Sequence, residues 1–83
     1  MYQIKLTAQA RKELKKLKVL HQNAIAIALE EIAENPFVSK PLTLELTGRY
    51  SYKIGVYRII YRVNKQDKKV TIITVGHRGT VYQ

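Results

Sequence analysis

Apolar and polar residues alternate from Tyr2 to Leu6, with Tyr2, Ile4 and Leu6 on one face and Gln3 and Lys5 on the other, the period of a short strand. Thr7 is then a helix N-cap for the run Ala8 to Leu20, in which Ala10, Leu14, Leu17 and Leu20 recur at helical spacing. A break at His21 to Asn23 leads into a second helix, whose apolar stripe is Ala24, Ile25, Ala28, Leu29 and Ile32 and which Asn35-Pro36 stops. Two helices with so short a break predict an αα-hairpin. After a loop from Phe37 to Pro41 the period falls to two. Leu42, Leu44 and Leu46 suggest a weak strand. Tyr50, Tyr52, Ile54 and Val56 form one face of a second, and Tyr57, Ile59, Tyr61 and Val63 one face of a third. Asn64 to Lys69 read as a hairpin loop, and Val70 to Val75, rich in β-branched residues, as a last strand ended by Gly76. The order β-α-α-β-β-β predicts an α+β fold, an N-terminal strand and αα-hairpin followed by an antiparallel β-meander, with the helices on one face of a mostly antiparallel sheet.

Length and charge narrow the picture. The 83 residues suffice for a single domain, residues 1–83. Fifteen Lys and Arg against six Asp and Glu give a net charge of +9, which favours a polyanionic partner such as nucleic acid or the ribosome. There is no cysteine, so disulfides, a thiolate metal site and a Cys nucleophile are excluded. No apolar run has the length of a membrane span, and Met1 leads into a strand pattern and not into a secretory signal, so the expected location is cytoplasmic.

The candidate chemistry lies in the second half of the chain. From Leu42 onward eight bases face two acids, Glu45 and Asp67. Strand alternation places Arg49 and Lys53 opposite the tyrosines of their strand, and Arg58 and Arg62 opposite Tyr57 and Tyr61. If the tyrosine faces meet the helices, the bases gather on the open face and form a phosphate-binding surface. The alternative is a solvated antiparallel face; the arginine forks, matched to phosphate, favour binding. The tyrosines read as core. Lys15 and Lys16 of the first helix, with Arg11, are either further RNA contacts or a solvated helix face. His21 and His77 lack the spacing of a metal pair, and no cofactor loop is present. Cleavage of RNA by its own 2′-hydroxyl remains within reach of such a surface, because it needs alignment, charge stabilisation and two proton transfers.

The segment from Tyr52 to Val63, with the tail Val75-Gly76-His77-Arg78-Gly79-Thr80-Val81-Tyr82 and the early Leu14-Lys15-Lys16-Leu17, resembles the RelE/ParE toxin superfamily over nearly the whole chain, and within it the RelE-like members. That resemblance implies the toxin of a type II toxin–antitoxin system, a ribosome-dependent mRNA endonuclease that inhibits translation. It implies a cognate antitoxin as partner, the ribosome and mRNA as targets, and roles for Lys53, Arg58, Arg78 and Tyr82. Arg58 and Arg78 bind phosphate and stabilise transition-state charge; Tyr82 stacks on a base or orients the 2′-hydroxyl.

Two departures bear on the base. Gly55 stands where the family strand has its second lysine, and His77 where some members have lysine. Unperturbed Lys and Tyr titrate near 10 and His near 6.5, so His77 is expected to share or take over the base role. A ParE-like toxin that poisons a topoisomerase, and a degenerate nucleic-acid-binding homologue, are the competing functions. The antitoxin is expected to offer an acidic and apolar segment ordered on binding. No long C-terminal helix is expected after Tyr82 to cover the site, and a toxin–antitoxin hetero-oligomer is expected at rest.

Overall fold

A computed structural model of the chain describes residues 1–41 and 48–77. The expected weak strand Leu42 to Leu46, and the tail residues Arg78 and Tyr82, lie outside the described residues. The elements are β1 (Gln3–Leu6), α1 (Ala8–Lys15), α2 (Val19–Glu34), β2 (Lys40–Pro41), β3 (Arg49–Ile54), β4 (Tyr57–Asn64) and β5 (Lys69–His77).

Thr7 caps α1 as expected: its backbone is extended and its hydroxyl accepts from the Ala10 N–H at 3.1 Å. The two helices divide earlier than the apolar spacing suggests, at residues 16–18 and not at His21 to Asn23. The reason is a side chain. The Gln22 amide donates to the carbonyls of Leu14, at 2.8 Å, and Leu17, at 3.1 Å, satisfying the last turn of α1 so that the bend forms there. Leu20, expected in the stripe of the first helix, opens α2 and is 75% exposed. Asn35 ends α2, its side-chain oxygen accepting from the Phe37 N–H at 3.1 Å.

The sheet has the order β1-β5-β4-β3-β2. β3, β4 and β5 pair antiparallel, as expected of a meander; Lys40–Pro41, expected in a loop, forms the short β2 antiparallel to β3, and β1 lies parallel to β5. The sheet is therefore mixed: period-two patterning marks a strand without giving its direction. β1 accompanies β5 only as far as the Leu6–Ile72 pair. Beyond it, α1 completes the edge. The Thr7 hydroxyl donates to the Ile73 carbonyl at 2.8 Å, and the Glu13 carboxylate accepts from the Val75 N–H at 2.9 Å and the Thr74 hydroxyl at 2.8 Å.

The core forms where the helices meet one face of the sheet. Ala10, Ile25, Ala28 and Ile32 pack with Ile59, Tyr61, Val70, Ile72 and Val75. Tyr61 is fully buried, stacks on Tyr50 at 5.6 Å, and donates to the Pro36 carbonyl at 2.6 Å while bonding Ser39. Burial raises the Tyr61 phenol above its ordinary pKa, an effect the Ser39 bond partly opposes. Tyr52 donates to Glu31 of α2, and that bond, with burial, holds its phenol up at about 12. The strand tyrosines expected in the core are thus on the helix side.

Candidate phosphate-binding face of the sheet

Because residues directly opposite in an antiparallel pair share a face, the register places the bases. Arg49 lies opposite Arg62 and Lys53 opposite Arg58, with the Ser51–Ile60 pair between them. Tyr50–Tyr61, Tyr52–Ile59 and Ile54–Tyr57 alternate with these on the helix side. The four bases of β3 and β4 therefore occupy the face turned away from the helices. Lys53 and Arg62 are exposed, Arg49 and Arg58 half-buried, and Ser51 and Ile60 are buried between the two pairs.

Like charges set directly across a strand pair destabilise it. Two such pairs on one face make an anion-accepting surface: a phosphate placed over either pair removes the repulsion and receives charge-assisted hydrogen bonds. At the Lys53–Arg58 end, the residue opposite Arg58 on β5 is Gly76, which has no side chain to occupy the space beside the guanidinium. β5 ends there with His77 opposite Tyr57. The His77 ring meets the Tyr57 ring edge-on at 6.4 Å, and His21 meets the same tyrosine at 5.1 Å. His77 is exposed; alternation turns it toward the side of Tyr57 and away from the face of Lys53 and Arg58. The strand end brings it near the pair without aligning it with them.

Gly55 has a local explanation. The Ile54–Tyr57 pair closes a two-residue hairpin over Gly55 and Val56, so β3 stops before Val56, and Gly55 has φ +56°. Such a turn favours glycine. The position that carries lysine in the family strand here serves the turn.

Lys15 and Lys16 lie at the end of α1, exposed on the helix layer, on the other side of the sheet from the four bases. Lys15 and Arg11 edge a groove of about 270 Å³ between α1 and α2, lined by Leu14, Gln22, Ile25, Ala26 and Leu29. Sequence patterning missed two features of the open face. Thr71 lies opposite Arg62 on β5, and Lys5 lies opposite Thr71 on β1. Beside Arg62 a polar depression of about 620 Å³ is lined by Asn64, Lys65, Gln66 and Thr71. The alternation of β1 and of β5 was legible, but not that the two strands are neighbours.

Comparisons with known proteins agree with this architecture. The family described as the ParE toxin of the type II toxin-antitoxin system, parDE, matches residues 4–82. Toxin RelG of Mycobacterium tuberculosis is 34% identical over 99% of this chain and 97% of its own, and Toxin RelE of the same organism 30% identical over 99% and 87%. Among solved structures, the toxin-antitoxin complex RelBE2 of M. tuberculosis contains a chain that superposes with a TM-score of 0.86 at 35% identity, over 93% of this chain and 98% of that one. The isolated E. coli RelE toxin superposes with a TM-score of 0.82 at 27% identity, over 99% and 92%.

Proposed function

The chain belongs to the RelE/ParE superfamily of type II toxin–antitoxin toxins, and from that premise we propose that it is a metal-independent endoribonuclease that cuts mRNA on the ribosome and so inhibits translation. The observation that carries the reading is the cross-strand Lys53–Arg58 pair, on the face away from the helices, at the end of the sheet where β5 delivers His77. Arg58 and Lys53 hold the scissile phosphate and neutralise the charge that grows as the ribose 2′-oxygen attacks phosphorus. A base removes the 2′-hydroxyl proton, the phosphorus–5′-oxygen bond breaks, and the leaving oxygen takes a proton. The products are a 2′,3′-cyclic phosphate and a 5′-hydroxyl. The base is Lys53, which shares the face of Arg58, or His77, whose ring has to swing round the end of β5 to reach that face. Arg78, the residue after His77, adds a further phosphate contact, and Tyr82 stacks on a base or orients the 2′-hydroxyl.

A cognate antitoxin completes the proposal. Solved relatives include toxin-antitoxin complexes, RelBE2 of M. tuberculosis and RelBE of E. coli among them. The groove between α1 and α2, apolar inside and edged by Arg11 and Lys15, fits an acidic and apolar segment. The resting form is then a hetero-oligomer, and the place of action the cytoplasm, where translation occurs. No helix among the described residues is long and apolar enough to cross a membrane.

A ParE-like toxin that poisons a topoisomerase is the second reading, favoured by the description of the matching family; the two mycobacterial Rel relatives favour the first. The test is a reconstituted translation reaction with mapping of mRNA ends. In-frame cuts on translated messages, reduced ~100-fold or more in Arg58→Ala, are expected. Intact messages with trapped topoisomerase–DNA complexes in cells select the second reading.

A further inference from the structure

We infer that the open face holds a second phosphate subsite, Arg49 with Arg62, which grips an RNA backbone at a phosphate other than the one held by Lys53 and Arg58. The inference deepens the nuclease reading and takes from it only the nature of the ligand, a ribose–phosphate strand.

Two arguments carry it. The first is spacing. Both base pairs lie on one face, and Arg62 follows Arg58 by four positions along β4. At roughly 3.3 Å per residue that is about 13 Å, too far for one phosphate to bridge. The two pairs therefore act on different phosphates, and a polymer supplies them where a mononucleotide does not.

The second is what surrounds Arg62. A row crosses the sheet through Arg49, Arg62, Thr71 and Lys5, on β3, β4, β5 and β1 in turn. It combines two guanidinium forks, a hydroxyl donor and an ammonium. The polar depression beside Arg62 extends the row to Asn64 and Gln66 at the hairpin. Donors and cations outnumber acids there; Asp67, the acid of that hairpin, is bonded to Asn64 at 3.2 Å and through its N–H at 3.0 Å. Such a strip suits backbone tracking and is indifferent to base identity.

The phosphate has two sources, the strand being cut or ribosomal RNA, and the experiment separates them. The variant is Arg49→Gln/Arg62→Gln in the full chain. The probes are a 2′-O-methyl oligoribonucleotide long enough to span both pairs, a dinucleoside monophosphate with one phosphodiester, and vacant ribosomes. Oligoribonucleotide affinity is expected to fall tenfold or more, and the slope of log affinity against log salt to shrink by roughly 0.7, the share of the one phosphate held at that subsite. Dinucleoside monophosphate bound at the Lys53–Arg58 pair is expected to stay, because that site uses neither arginine of the variant. Unchanged oligoribonucleotide binding with weaker, less salt-dependent ribosome binding also supports the subsite and names ribosomal RNA as the source. If both the oligoribonucleotide and the ribosome bind as before, the inference is overturned. Should the Gln pair unfold the chain, Arg49→Lys/Arg62→Lys is read instead: weaker binding at an unchanged salt slope supports the fork, and unchanged binding overturns it. No arm depends on cleavage, so a chain that binds in this way and cuts nothing loses the nuclease reading and keeps the subsite.

Discussion

The two faces of the β3–β4 pair are built from alternate residues of the same strands and follow opposite rules. On the helix side Tyr50 stacks on Tyr61 and Tyr52 lies opposite Ile59; neighbours there attract, and Ile59 and Tyr61 are fully buried. On the other side Arg49 faces Arg62 and Lys53 faces Arg58; neighbours there repel. A hairpin with only the second face has no reason to close. The pairing is stable because the first face is packed, and the second face carries the cations. The packed face and the charged face are thus separated by one residue of register, and a one-residue slip in pairing exchanges them.

The largest effect expected from breaking this division is on the packed side. Ile59→Ala removes a fully buried side chain between the sheet and the helices and is expected to cost about 2–5 kcal/mol, a large share of the roughly 5–15 kcal/mol that holds a small domain folded. Chemical denaturation measures it. If the loss stays under about 1 kcal/mol, the helix side is not the source of the stability.

His77 sharpens the comparison because it sits at the strand end, on the side of Tyr57, one residue from the Gly76 that faces Arg58. If it is the base, His77→Gln lowers single-turnover cleavage by ~100-fold or more, with little change in substrate affinity or in folding stability. A loss of cleavage matched by a loss of stability points to packing against Tyr57, and Lys53 is then the base.

How much of this was legible in the residues differs between the faces and the edges. The faces were legible because period two needs no tertiary information: Tyr57, Ile59 and Tyr61 against Arg58 and Arg62 separate by alternation alone. Helix boundaries set by local chemistry, Thr7 and Asn35-Pro36, were also legible. What escaped depends on contacts distant in sequence. The Gln22 side chain, reaching back to Leu14 and Leu17, moves the helix break. The parallel seat of β1 beside β5, and Glu13 completing the edge beyond it, join residues more than 60 positions apart. The row from Arg49 to Lys5 exists only because of that seat. Gly55 looked like a lost lysine and is a turn residue at positive φ.

A smaller effect lies in the bond that ties β3 to α2. The Tyr52 phenol, which donates to Glu31, has its pKa raised to about 12 against 10 in the unfolded chain. A raised pKa means that the folded state holds the proton more tightly. The contribution is therefore whole below pH 10 and is lost as pH rises from 10 to 12. Tyr52→Phe is expected to cost about 1 kcal/mol at neutral pH and to flatten the fall in stability across that alkaline window. An unchanged alkaline profile places the titration elsewhere, for which Tyr61, also raised, is the next group to substitute.

The smallest expected effect has the opposite sign. Replacing one member of a repelling pair relieves the charged face, so Arg49→Gln is expected to raise stability by a few tenths of a kcal/mol, where most substitutions lower it. Salt supplies the internal control. Between low and physiological ionic strength, screening weakens the Arg49–Arg62 repulsion in the parent chain, so the gap between parent and variant narrows as salt is added. A gap that is absent at low salt, or that widens with salt, means the two guanidinium groups already splay apart into water. The open face is then an ordinary solvated surface and not one held in tension for an anion.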